Sequence, residues 1–193
     1  VAGQRKLPTH PRRNGPSAGA LGCGRGGGGP ATLDLLLEVA DRLGARCELV
    51  LRGNVHRHQL PGFDAALRGR ANVRYEGPYS YPDGLAWAYG GLDAVWAQDL
   101  WQRGGNSDWL LPNRLYEAGY FGCPTLAVAG TATARRVAET GAGIVVDAAT
   151  PEAVIAALEH HGGHLAALRD GLLARPDQDY QQDPSEIDAL LSY

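Results

Sequence analysis

Methionine is absent from the 193 residues, and lysine occurs once, at Lys6; every other basic side chain is an arginine. A complete translation product opens with methionine, whereas residue 1 is Val1. The sequence therefore reads as a fragment, a processed product or a conceptual translation with an uncertain start. Arginine in place of lysine, with abundant alanine and glycine, points to a GC-rich coding sequence. Cysteine is scarce and odd in number: Cys23, Cys47 and Cys123 lie far apart. That argues against a disulfide framework and for buried thiols in a reducing cytosol. No apolar run approaches the ~20 residues that span a bilayer, and none has the form of a signal-peptide core. With a net charge of −3, nothing in the overall balance points to nucleic acid. What is there is globular material: 44% of residues are hydrophobic, in a chain long enough for one domain with its own core.

The first carboxylate is Asp34, and Arg5, Lys6, Arg12, Arg13 and Arg25 all precede it. Prolines and glycines crowd the same stretch, ending in the glycine run 26–29. Such a segment buries too little apolar surface to offset its ordering entropy. Residues 1–30 are therefore expected to be a disordered basic leader: a solvated tail, or an arm for a membrane surface or polyanion. A reading-frame error upstream of Ala31 is a third explanation. A domain over 31–175 and a polar tail over 176–193 complete the expected division.

From Ala31 onward the pattern is regular. Leu33, Leu35, Leu36, Leu37, Val39, Ala40 and Leu43 recur at helical spacing, and Gly44 stops the run. Short apolar runs predict strands at 47–51, 73–75, 92–97, 125–129 and 143–146. Helices are predicted at 63–67, 81–89, 112–121, 132–140, 151–158 and 165–173, with a last helical turn at 187–191. Strands alternating with helices of this length predict an α/β fold, a Rossmann-like parallel sheet with helices on both faces. Right-handed crossovers then place ligands at the C-terminal ends of the strands. Asp99, Gly104, Gly105, Asn106 and Gly130 fall at such ends.

One stretch concentrates the chemistry: GGNSDWLLPNRLYEAGYFGCPTLAVAG, residues 104–130. A glycine pair and polar residues open it as a loop. Pro112 suits the first position of a helix, Gly122 and Pro124 end that helix, and 125–129 has the length of a buried strand. After Gly130, Thr131 or Thr133 can cap the next helix. Free N–H groups at two helix starts would face one crevice and favour an anion. Glu117 lies one turn beyond Asn113 on the same helical face, where a carboxylate can accept two hydrogen bonds from a ribose diol. Arg114 adds a cation at the mouth.

The segment LPNRLYEAGYFGCPTLAVAG resembles the donor-site segment of family-4-type, GT-B-fold glycosyltransferases, with bacterial exopolysaccharide enzymes of the succinoglycan kind as the nearest flavour. These carry a Pro-Asn-(Lys/Arg)-x-x-Glu helix, then Gly-x-Pro and an apolar strand. NVRYEGPYSYPDGLAWAYGGLDAVWA matches the usual preceding layout, so the resemblance covers roughly 33–158. It implies the C-terminal, nucleotide-sugar half of a two-domain enzyme whose acceptor-binding half is not in this sequence. By the resemblance Glu117 would bind the ribose, and Gly104, Gly105 and Asn106 would line the sugar-diphosphate pocket. The donor would be a nucleotide diphosphate sugar, with no further cofactor, and the acceptor a saccharide or lipid-linked saccharide. It also implies exopolysaccharide biosynthesis in the cytoplasm, with peripheral contact at the inner face of the membrane. The wider family often has a second glutamate eight positions earlier, and here that position is Trp109.

Rival motifs are present. Gly22, Gly24 and Gly27 satisfy G-x-G-x-x-G, and Arg52 ends the next predicted strand, where an NADP-type oxidoreductase could hold a 2′-phosphate. A non-catalytic remnant is the other alternative. Asp177 and Asp179 resemble a metal-binding pair but lie in the polar tail. His56 with His58, and His160, His161 and His164, lack cysteines or paired carboxylates at ligand spacing. The reading is therefore of no required metal. Trp96 reads as core, while Trp87, Trp101 and Trp109 divide between core packing and stacking on a base or sugar.

Overall fold

The computed structural model describes residues 19–23 and 29–180, with side chains described for 29–180. Six strands form one sheet: β1 (Gly19–Cys23), β2 (Cys47–Arg52), β3 (Val73–Gly77), β4 (Ala94–Trp96), β5 (Thr125–Val128) and β6 (Gly143–Val146). Every pairing is parallel, and the order is β3-β2-β1-β4-β5-β6. The chain runs outward from β1 to β3, returns beside β1 as β4, and then proceeds the other way. The strand order thus reverses between β1 and β4, and the crevice beyond their C-terminal ends is the place where such sheets bind ligands.

Among the described residues, eight α-helices connect and cover the strands: α1 (Pro30–Leu43), α2 (Phe63–Leu67), α3 (Leu85–Tyr89), α4 (Asn106–Trp109), α5 (Asn113–Tyr120), α6 (Ala132–Thr140), α7 (Pro151–His161) and α8 (Leu165–Leu173). Successive residues of a strand face opposite sides of a sheet, and the core divides accordingly. Leu49, Leu51, Ala94, Trp96, Leu126, Val128, Ile144 and Val146 pack with α1, α2 and α7. Val50 and Val95 point the other way, into α3 and α5, while Ala127 meets α6 and α8. Apolar side chains on both faces are what a doubly covered parallel sheet requires.

Local chemistry sets the helix ends. Pro30 starts α1, where a missing N–H costs nothing, and Gly44 leaves it at φ +53°. The Thr131 and Thr150 hydroxyls accept from the backbone N–H of Ala134 and Ala153 and cap α6 and α7. Gly143 opens β6 because a β-carbon there would sit 1.9 Å from the carbonyl oxygen of Thr125 on the neighbouring strand.

Several elements differ from expectation. The expected leader 1–30 contains β1, a central strand paired on both sides. Its sequence, GALGC, has no β-branched or aromatic residue, so partners rather than propensity make it a strand. Residues 1–18 and 24–28 lie outside the described residues, as does the last turn expected at 187–191. The helix expected over 81–89 begins only at Leu85, after turns through Pro82. The loop expected around Asn106 contains the one-turn α4. Pro112 sits at the cap of α5 in extended conformation rather than inside its first turn.

Cys47 and Cys123 are free and buried. Burial pushes the Cys47 thiol up to about 11, with Asp93 and Glu48 adding to the rise. Burial likewise pushes Cys123 up to about 12. Both are therefore packing residues rather than nucleophiles. No described helix is long and apolar enough to cross a membrane.

Candidate functional site

The C-terminal ends of β4 and β5 open onto two cavities. The larger, about 540 Å³, is lined by Tyr79 and Tyr81 from the loop after β3, and by Asp99 and Ser107 on its floor. Leu110, Leu111, Pro112, Asn113, Arg114, Glu117 and Thr133 complete it. The smaller, about 180 Å³, is lined by Gln98, Leu100, Arg103, Asp108, Val128, Ala129, Gly130 and Thr131. Neighbouring residues serve the two in turn: Gln98 and Asp99, Ser107 and Asp108, Thr131 and Thr133.

Glu117 is half-buried on α5, one turn from Asn113, and both line the larger cavity. The Tyr89 hydroxyl donates to Oε2 of Glu117 at 2.6 Å. Burial, and then the Glu117 hydrogen bond, push the Tyr89 phenol far above its ordinary range, so it stays protonated as a donor. Asp99 is held in the loop after β4: its carboxylate accepts from the Trp101 N–H at 2.9 Å and from the Ser107 hydroxyl at 2.8 Å.

Gln98 joins the floor of the two cavities. Its amide donates to the carbonyls of Asp99 and Ser107, both at 3.0 Å, and its Oε1 lies 2.9 Å from the Thr131 hydroxyl. The start of α6 is thereby tied to the loop carrying Asp99. The N-terminal end of the α6 dipole favours negative charge beside Gly130. Arg103, in the same small cavity, adds a cation, while Asp108 opposes it.

Not every expected donor-site residue plays the expected part. Arg114 lines the larger cavity with Glu117 but is otherwise buried, and its guanidinium donates to the Trp96 carbonyl at 3.3 Å. A step of one residue from Asn113 turns it about 100° around the helix, toward the sheet. Gly104 and Gly105 line neither cavity; their N–H groups already donate to the Asp108 carboxylate at 2.8 Å and the Gln102 carbonyl at 3.1 Å. Asn106 is exposed at the start of α4 and also lines neither. Gly130 and Thr131 border the smaller cavity, not the one that Glu117 lines. Of the tryptophans, Trp96 is fully buried, Trp101 packs against Gly29, and Trp109 is 72% exposed beside the cleft.

Sequence reasoning missed Tyr79, Tyr81, Tyr89, Gln98, Ser107 and Arg103. Tyr79 and Tyr81 sit between Gly77 and Pro82, just after a strand, and the strand-end rule applied there would have found them. Arg52, read above as a holder of a 2′-phosphate, is engaged elsewhere. Its Nε pairs with Glu76 at 2.8 Å, and its Nη1 donates to the carbonyls of Trp87, Ala88 and Gly90. The glycines 24–27 of the rival motif lie outside the described residues. Among the described residues no group of three or more His, Cys, Asp or Glu is placed to hold a metal ion.

No family model matches the chain. Over 140 residues it is 39% identical to the succinoglycan biosynthesis protein ExoL of Rhizobium meliloti (strain 1021), a match covering 72% of this chain and 33% of ExoL. Anabaena Alr3699/HepE in complex with UDP-glucose superposes with a TM-score of 0.67 at 12% identity, covering 91% of this chain and 49% of HepE. The C-terminal domain of LpcC, a glycosyl transferase group 1 family protein of Francisella tularensis, superposes with a TM-score of 0.53 at 16% identity, covering 82% of this chain and 83% of that domain. The fold is one half of a GT-B glycosyltransferase. The chain spans about a third of the length of ExoL and about half of HepE. The oxidoreductase alternative finds no support in these relatives.

Proposed function

We propose that the chain is the donor-binding half of a glycosyltransferase acting in exopolysaccharide biosynthesis. The observation that carries this reading is Glu117: a carboxylate one turn into α5, in a cleft at the C-terminal ends of β4 and β5, with one oxygen fixed by Tyr89. The second oxygen, with Asn113 beside it, meets the ribose diol of a nucleotide diphosphate sugar. Tyr79 and Tyr81 offer flat apolar surface to the base. The diphosphate lies toward Gly130, Thr131 and the start of α6, with Arg103 as the nearby cation. Charge developing on the departing diphosphate is stabilised there by fixed dipoles. The sugar passes to a saccharide or lipid-linked acceptor held by a second domain, on the cytoplasmic side of the membrane. ExoL, named for succinoglycan biosynthesis, and HepE, solved with UDP-glucose, support this reading.

A calorimetric titration of the full chain tests it. UDP-glucose or GDP-mannose is expected to bind with a dissociation constant on the order of 10 μM to 1 mM, the usual range for enzyme substrates, and NADPH to give no heat. Binding of NADPH, with no heat from either nucleotide sugar, would overturn the assignment.

A further inference from the structure

We infer that Tyr89 is a positioning residue for ribose recognition: its buried hydroxyl fixes the Glu117 carboxylate so that one oxygen stays presented to the 2′- and 3′-hydroxyls of the nucleotide. The inference rests on the donor-site reading above and adds to it a residue from a different element, α3.

Tyr89 is 2% exposed. Its ring stacks on Phe121 at 6.2 Å between centroids, with 12° between planes. Phenylalanine would fill that space as well, so packing does not account for the hydroxyl. A buried hydroxyl without a partner is costly; this one has Glu117 Oε2 at 2.6 Å. Among the described residues, Tyr89 is the hydrogen-bond donor to Glu117.

The position of Tyr89 is itself fixed. Arg52, at the end of β2, donates to the carbonyls of Trp87, Ala88 and Gly90 at 2.8, 3.0 and 3.0 Å, which surround Tyr89 at the end of α3. The guanidinium also lies over the Trp87 ring, 4.7 Å from its centroid, and pairs with Glu76. The hydroxyl is thus carried by a backbone pinned at three carbonyls. A glutamate on an isolated helix surface samples several rotamers. Held by Tyr89, it offers a ready-made acceptor, and the ordering cost is met in folding rather than in binding.

The Tyr89→Phe chain is titrated with UDP and with 2′,3′-dideoxy-UDP, which lacks the diol. Its affinity for UDP is expected to fall roughly tenfold, the scale of a hydrogen bond to a charged group. Its affinity for the dideoxy nucleotide is expected to match that of the parent. The parent's preference for the ribose form should therefore shrink in the variant, and 4-aminophenylalanine in place of Tyr89, which restores a donor, should recover part of it. Unchanged UDP affinity in Tyr89→Phe overturns the proposal, and so does an equal loss for both nucleotides, which would mark a general effect on the fold. If Tyr89→Phe does not fold, the 4-aminophenylalanine protein, with its weaker donor, carries the test by the same comparison: a loss of affinity equal for UDP and the dideoxy nucleotide would count against the proposal. A parent chain that binds none of UDP, GDP and ADP defeats the donor-site reading first, and this inference with it; a parent that binds, with no diol-specific loss in the variant, defeats this inference alone.

Discussion

The Glu117→Ala chain is expected to bind its nucleotide sugar roughly a hundredfold more weakly than the parent. Two hydrogen bonds from ribose hydroxyls to a carboxylate are at stake, together worth about 3 kcal/mol at the low end of the range for charged acceptors, and about 2.8 kcal/mol is a hundredfold. Glu117 lines the cleft, and its loss leaves the buried Tyr89 hydroxyl unpaired, at a cost to the fold of about 1–3 kcal/mol. Calorimetry measures the affinity, and a urea titration of the same protein checks the fold. An unchanged affinity in a folded Glu117→Ala chain would mean that the carboxylate has no part in binding. Glu117→Gln should fall between the two, because an amide keeps one acceptor oxygen and loses the charge.

The largest effect on stability is expected at Arg52. Its guanidinium is 7% exposed and pairs with Glu76 at 2.8 Å while capping α3. Removing one partner of a buried pair leaves the other unpaired and typically costs about 3–5 kcal/mol. That figure is an upper bound here, since Arg74 still pairs with Glu76 at 3.2 Å, but the carbonyls of Trp87, Ala88 and Gly90 lose their donor as well. Arg52→Ala should therefore lower the urea midpoint sharply. Arg52→Lys should rescue little of it, because one ammonium cannot reproduce the forked geometry that spans a carboxylate and three carbonyls. A loss below about 1 kcal/mol for Arg52→Ala, the scale of exposed ion pairs, would show that this network is not what holds α3.

These two residues also mark what the sequence made legible. That Asn113 and Glu117 share one face of α5 could be read from helical spacing, and both line the cleft. The parallel α/β sheet was equally readable, since the runs at 47–51 and 143–146 are apolar, short and bounded by glycine or helix-forming stretches. β1 was not, because GALGC has no local strand preference and gains its structure from pairing with β2 and β4. The burial of Arg114 was not legible, because its contact with the Trp96 carbonyl depends on how α5 packs on the sheet. Arg52 and Tyr89 stand 24 and 28 residues from their partners Glu76 and Glu117. Pairings at such separations depend on which elements the topology brings together, which no local pattern records. Gly104 and Gly105 were expected to line the sugar-diphosphate pocket; the acceptors within the loop that take their N–H groups, Asp108 and Gln102, become visible only once it folds back on itself.

The most direct test of the central claim is the crystal structure of the chain with UDP-glucose bound. Both ribose hydroxyls are expected within about 3 Å of the Glu117 carboxylate, at normal hydrogen-bond distance, with the diphosphate beside Gly130 and Thr131. A nucleotide bound elsewhere, or bound in this cleft with its ribose turned away from Glu117, would contradict it.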